Sequence, residues 1–231
     1  MKISIMRPVL VLIILIVATL AWSGNGLSQY FPPAIPAGPP AEGYTILNEY
    51  YLPALMEEPE RCFHRARENF IKKELKIAAE DIRKATVYLR LEAGRSTDEG
   101  KEILLDSIRE LDELAAKIEK GSAPSVKELD KVFSRAHQSL AKQHYLKAVK
   151  IKTDKGLRMI GQDLKAMAYH LERAIIWDSD IIDTPVKTII EKARLVAEQL
   201  ANKKATNTKA VNDILNSTGK EIGKLEHKKE K

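Results

Sequence analysis

Residues 63–94 read FHRARENFIKKELKIAAEDIRKATVYLRLEAG, with apolar positions Ile71, Leu75, Ala78, Ile82, Ala85 and Leu89 in alternating steps of four and three. That period puts them on one face of an α-helix. The stretch predicts a single long amphipathic helix, stopped by Gly94 in a left-handed conformation. Parts of it recur downstream. Phe133, Arg135, Ala136 and Lys142 repeat Phe63, Arg65, Ala66 and Lys72, and Asp163, Leu164, Lys165 and Leu171 repeat the types of Asp81, Ile82, Arg83 and Leu89 at a longer offset. Two readings stand: a duplicated helical hairpin, or helices rich in Ala, Lys and Leu that match one another by composition.

Working outward, the punctuation on the C-terminal side is that of further helices. Ser96 and Glu99 predict a capping box that starts a second helix over about Thr97–Lys120. Its stripe is Leu104, Ile108, Leu111, Ala115 and Ile118, and Gly121 closes it. Ser125 and Glu128 form another capping box, followed by Leu129, Phe133, Ala136 and Leu140 on one face. Thr184–Pro185 opens a last strong stripe through Ile189, Ala193, Val196 and Leu200. Thr153, Asp154, Gly156 and Gly161 leave it open whether Leu129–Trp177 is one helix or two. Ala201–Ala210 has little to bury, and Val211, Ile214, Ile222 and Leu225 resume only a thin stripe. The fold class expected is all-α, an antiparallel bundle of four to five long amphipathic helices. With aromatic residues at 6%, its core must rest on Leu, Ile, Val and Ala.

The N-terminal side has a different character. Lys2 and Arg7 precede Val9–Leu20, an apolar run of about a dozen residues with small residues after it, which matches a secretory signal peptide. A stable membrane span needs roughly 20 apolar residues, reached here only by counting across Arg7 and Pro8. Residues 1–23 are therefore read as a signal peptide or a retained anchor, and the rest of the chain as exported, in the periplasm or at the cell surface. Residues 24–59 form a linker and strap: Phe31–Ala41 holds five prolines, an extended spacer, and Tyr44–Met56 is apolar enough to pack on a bundle. The bundle itself is expected over residues 60–231.

Charge excludes some classes. The net +6 is spread thinly, with eight lysines against four acids in residues 201–231. That makes a basic C-terminal helix, but no aromatic side chain lies there to stack on bases, so nucleic acid is not an expected partner. One cysteine, Cys62, cannot form an intrachain disulfide and reads as a small, partly buried hydrophobe, as the link of a covalent dimer, or as a group with a metal or redox role. No phosphate loop, nucleophile elbow, zinc-protease motif or haem attachment motif is present, and an enzyme is not expected.

The candidate ligands are histidines: His64, His137, His144 and His170, with His227 in the tail. The best local pair is His64 with Glu68, one turn apart, and Glu60 lies a turn the other way. His137 and His144 lie about 10.5 Å apart along a helix axis, too far to grip one ion together, so a site would need ligands from different helices. Two functions follow. One is a non-enzymatic binding or scaffolding module with a protein partner or envelope component, touching membrane only through an uncleaved N-terminal segment. The other is a metal- or haem-binding bundle that gathers these histidines. No catalytic, cofactor or metal residue is assigned from sequence.

Overall fold

In the computed structural model the described residues are 52–122, 124–151, 156–179, 182–202 and 208–227. They are helical and packed helix to helix, with no strand among them. The seven helices are α1 Leu52–Ile71, α2 Leu75–Ala93, α3 Asp98–Glu119, α4 Val126–Lys150, α5 Leu157–Ser179, α6 Thr184–Ala201 and α7 Thr208–His227. The signal or anchor segment and the proline spacer lie outside the described residues. Of the strap, the described part from Leu52 opens α1, so the helical region begins before residue 60 and carries Pro59 within its first helix.

Against the four to five helices expected, the described residues form seven, because residues 63–94 fall in two helices, Leu129–Trp177 in two more, and Thr208–His227 is a helix of its own. The chain breaks at Lys72–Glu74, where Lys73 takes φ 64°. The Glu74 N–H bonds Asn69 O at 2.8 Å and the Lys73 N–H bonds Phe70 O at 3.0 Å, the paired closure of a Schellman C-cap. Such a cap favours glycine, and here a lysine fills the left-handed position, so the sequence carries no warning of the stop. Ile71 is consequently 54% exposed at the end of α1, while Ala78, Ile82, Ala85 and Leu89 line the buried face of α2.

The next boundary also shifts. Gly94 is right-handed at φ −65°, and α3 is capped by Thr97, whose Oγ1 accepts from Gly100 N at 3.1 Å. The Ser96 hydroxyl instead donates to Ala93 O, because it still sits beside the last turn of α2. The Ser125–Glu128 capping box forms as expected, Gly121 is left-handed at φ 75°, and Pro185 lies in the first turn of α6. Leu129–Trp177 resolves into α4 and α5.

Each helix packs on the next, and α4 also packs on α1 and α7. Cross-helix pairs give the directions. Arg83 meets Glu119 and Arg90 meets Asp112, so α2 and α3 are antiparallel. Ser134 bonds Ala174 O while His144 bonds Asp163, so α4 and α5 are antiparallel too. Leu129, Phe133, Ala136 and Leu140 of α4 join a core with α1, α2, α3 and Trp177. Ala141 and Ala148 join a second core with α5, α6 and α7. One helix thus serves two apolar cores, and Gly161 of α5 lets α6 approach closely, since a Cβ there would stand 3.0 Å from both Ala197 O and Leu200 Cβ. None of the described helices is long and apolar enough to cross a membrane.

Candidate functional site: a buried histidine and carboxylate relay

Where α1, α4 and α5 meet, the apolar packing is interrupted by polar side chains that are themselves buried: Glu60, His137, His144, Asp163 and His170. Asp163 and His170, one heptad apart, share the face of α5 that carries Leu164, Met167 and Leu171. Burying such groups is costly unless their hydrogen bonds are made. Here they are made with one another, across helices.

Glu60 is the hub. Its Oε2 accepts from His137 Nε2 at 2.9 Å and from Trp177 Nε1 at 2.7 Å. Its Oε1 accepts from His64 Nε2 at 3.0 Å, and Arg173 Nη1 stands 3.6 Å from the same oxygen. Burial alone pushes the Glu60 carboxyl up, but the hydrogen bond and field of His137, the Trp177 N–H and the ring of His64 outweigh it and hold it at about 2. Glu60 is therefore a carboxylate, an acceptor only.

That fixes the protons behind it. With Glu60 accepting, Nε2 of His137 carries a hydrogen, and burial holds the ring below its usual value against the pull of Glu60, so it is neutral. Its bare Nδ1 lies 3.0 Å from Nδ1 of His170, which must then be the donor. His170 is pushed well below the ordinary histidine range by burial and by the neighbouring His137 and His144 rings. A single proton is thus shared between two fully buried neutral imidazoles.

Beyond His170 the polar cluster continues by ring stacking, which carries no proton. The His144 ring lies 5.9 Å from that of His170 with 12° between planes. Its Nδ1 donates to Asp163 Oδ1 at 2.9 Å, and Lys147 Nζ is 3.3 Å from the same oxygen. On the other side, Glu92 of α2 accepts from Gln143 and is paired with Arg95. The chain of polar groups therefore runs from His64, which is solvent-exposed, to Glu92 through the interior of the fold.

Of the sequence candidates, His64, His137, His144 and His170 are all brought into this relay, and His227 ends α7. His64 pairs with Glu60 and not with Glu68. Asp163, Trp177, Arg173 and Glu92 were not legible as members. The one available signal was Asp163, a charged residue in the middle of an apolar stripe. Among the described residues no three His, Cys, Asp or Glu side chains gather as ligands for a metal ion. Both ring nitrogens of His137 are engaged by protein groups, Nε2 by Glu60 and Nδ1 by His170, so one proton can be held between the facing Nδ1 atoms. Cys62 is buried at 1% exposure, with Arg65 donating to its sulfur at 3.2 Å. Burial pushes its thiol up, and a disulfide to a second copy would require that region to open.

The exposed end of the relay borders a groove of about 660 Å³ between α1, the start of α4 and the end of α5. His64 and Trp177 line it, with Val126 and Ile176 as apolar floor and Lys127 and Lys131 as exposed cations. Asp130, also in the groove, is paired with Arg67 at 2.8 Å. No family model, curated protein or solved structure matches the chain.

Proposed function

We propose that this chain is an exported, non-enzymatic helical module that binds a protein partner through the groove lined by His64, Lys127, Lys131 and Trp177. The observation that carries the reading is the composition of that groove: an aromatic edge and an apolar floor beside two exposed lysines. These fit an acidic segment with an apolar anchor, because aromatic and cationic groups around a desolvated centre are where binding energy concentrates. Export rests on the Val9–Leu20 run after Lys2 and Arg7. The matched burial of Phe63 with Phe133, Ala66 with Ala136, Asp81 with Asp163 and Leu89 with Leu171 supports origin from a duplicated hairpin.

A photo-crosslinking residue at Lys127, in the full chain made in its native host, tests the binding reading. A discrete protein adduct is expected from Lys127 and not from Leu195, which is exposed on α6. Equal or absent adducts at both positions would refute the groove.

A further inference from the structure

We propose that Glu60 couples the protonation of the buried His137–His170 pair to the groove, so that acidification redistributes the Glu60 hydrogen bonds among His137, His64 and Trp177. This rests on the proposed function only in treating the groove as a binding surface.

Geometry carries the coupling. The groove's two aromatic lining residues are both held by one carboxylate, His64 through Oε1 and Trp177 through Oε2. That carboxylate also takes the outer N–H of His137. Any change in His137 is therefore felt at the groove through a single side chain. Behind it the facing Nδ1 atoms, 3.0 Å apart, can share one proton. A second would set two N–H groups head to head, a repulsive contact in a low-dielectric interior.

On its outer side His137 has the Glu60 carboxylate to draw a second proton, while the other acids around the pair are already engaged. From α1 the pair faces Glu60 and His64, and the Phe63 ring lies edge-on against His137. From α4 come His144 and Lys147, and from α5 Asp163, Tyr169 and Arg173. From α2 comes Glu92, 3.9 Å from His144 Nε2. Glu60 already has three donors, Asp163 is occupied by His144 and Lys147, and Glu92 by Arg95 and Gln143. Glu110 of α3 is spent on Arg135 and Arg194 of α6 on Glu172, while α7 meets α4 at Tyr145. Of the helices joined here, α4 and α5 are tied over a long run, from Ser134 with Ala174 to His144 with Asp163. The ties of α1 to α4 form a shorter run, Glu60 with His137, Phe63 with Phe133 and Arg67 with Asp130. A change in the pair is therefore passed through Glu60 to α1 and to the groove it borders. Since burial holds both rings neutral at ordinary pH, the event belongs below pH 6.5.

The chain has two tryptophans, so in the full chain with Trp22→Phe the emission comes from Trp177, whose Nε1 bonds Glu60 and whose ring lies 4.9 Å from that of His64. Between pH 7.5 and 4.5 a shift of that emission is expected with its midpoint below 6.5 and with helical circular dichroism retained. His137→Gln and His170→Asn keep a hydrogen-bond donor at the relevant ring position but cannot titrate, and each should remove the shift. A flat response in the parent, or an unchanged shift in both variants, overturns the proposal. If the variants fail to fold, imidazole ¹⁵N spectra of the parent decide it. Neutral His137 with Nε2–H and neutral His170 with Nδ1–H at pH 7.5, converting on acidification, are expected. Imidazolium at pH 7.5, or both rings unchanged at pH 4.5, overturns it. A pH response without a crosslinked partner would remove the binding reading alone, and a partner with a flat response would remove the relay alone.

Discussion

The ring of Phe63 on α1 lies nearly parallel to that of Phe133 on α4, with centroids 4.3 Å apart and 14° between their planes. These are equivalent positions of the sequence echo, and both side chains are fully buried. The stack is the apolar counterpart of the Glu60–His137 bond one turn away. Replacing Phe63 by Ala should cost about 3–5 kcal/mol by loss of transfer energy and creation of a cavity. Urea denaturation of the full chain measures it, and a loss below about 1 kcal/mol would mean that α1 is not anchored through this ring.

Ile82 and Ile71 belong to the same stripe in sequence but not in space. Ile82 is fully buried and Ile71 is 54% exposed beyond the Lys73 break. Ile82→Ala should destabilise by about 2–5 kcal/mol, whereas Ile71→Ala should stay within about 0.5 kcal/mol. Equal losses in melting experiments would restore one continuous helix over residues 63–94.

Two glycines should respond to alanine with opposite sign. At Gly223 a Cβ meets nothing within 4 Å, so the better helix former should stabilise α7 by roughly 0.5–1 kcal/mol. At Gly161 it meets the Ala197 carbonyl oxygen and Leu200 Cβ, both at 3.0 Å. Backbone on the facing helix cannot swing aside, so Gly161→Ala should lower the melting temperature. A rise at Gly161 would show that α5 and α6 are free to separate.

Stability should fall on acidification in two stages. His137 and His170 are depressed below the usual 6.5, so between that value and their folded values the unfolded chain binds more protons. Their contribution is complete above 6.5 and is lost as pH falls below it. Glu60, held at about 2 against an ordinary 4.5, contributes fully above 4.5 and loses its share between 4.5 and about 2. Urea midpoints at pH 7.5, 5.5 and 3.5 check this. Glu60→Gln should flatten the lower stage, and a midpoint that rises from pH 7.5 to 5.5 would contradict the buried neutral pair.

Processing is predicted from the N-terminal residues alone. The mature chain should begin between Ser23 and Tyr30. Intact mass of protein from its native host checks it, and retention of residues 1–22 would favour the anchored form.

Much of the helical architecture was legible from residue order, because a 3.6-residue period and a short-range cap act within a few turns. Leu104, Ile108, Leu111, Ala115 and Ile118 are all buried as their spacing required, and Ser125 with Glu128 closes its capping box. Such signals are local, so they survive in a sequence read without its fold. The stop at Lys73 was not legible, since the left-handed position is filled by a residue that does not announce it, held by hydrogen bonds to Asn69 and Phe70 and by the packing of α2 back on α1. The relay was legible only as a set of histidines. His137 and His170 are 33 residues apart and Glu60 and Trp177 are 117 apart, and what joins them is the rotation of each helix about its axis when α1, α4 and α5 pack. Residue order determined which faces are apolar and which side chains could carry a proton. Only the tertiary packing decided that those side chains meet, because no local interaction specifies which buried polar group will satisfy another.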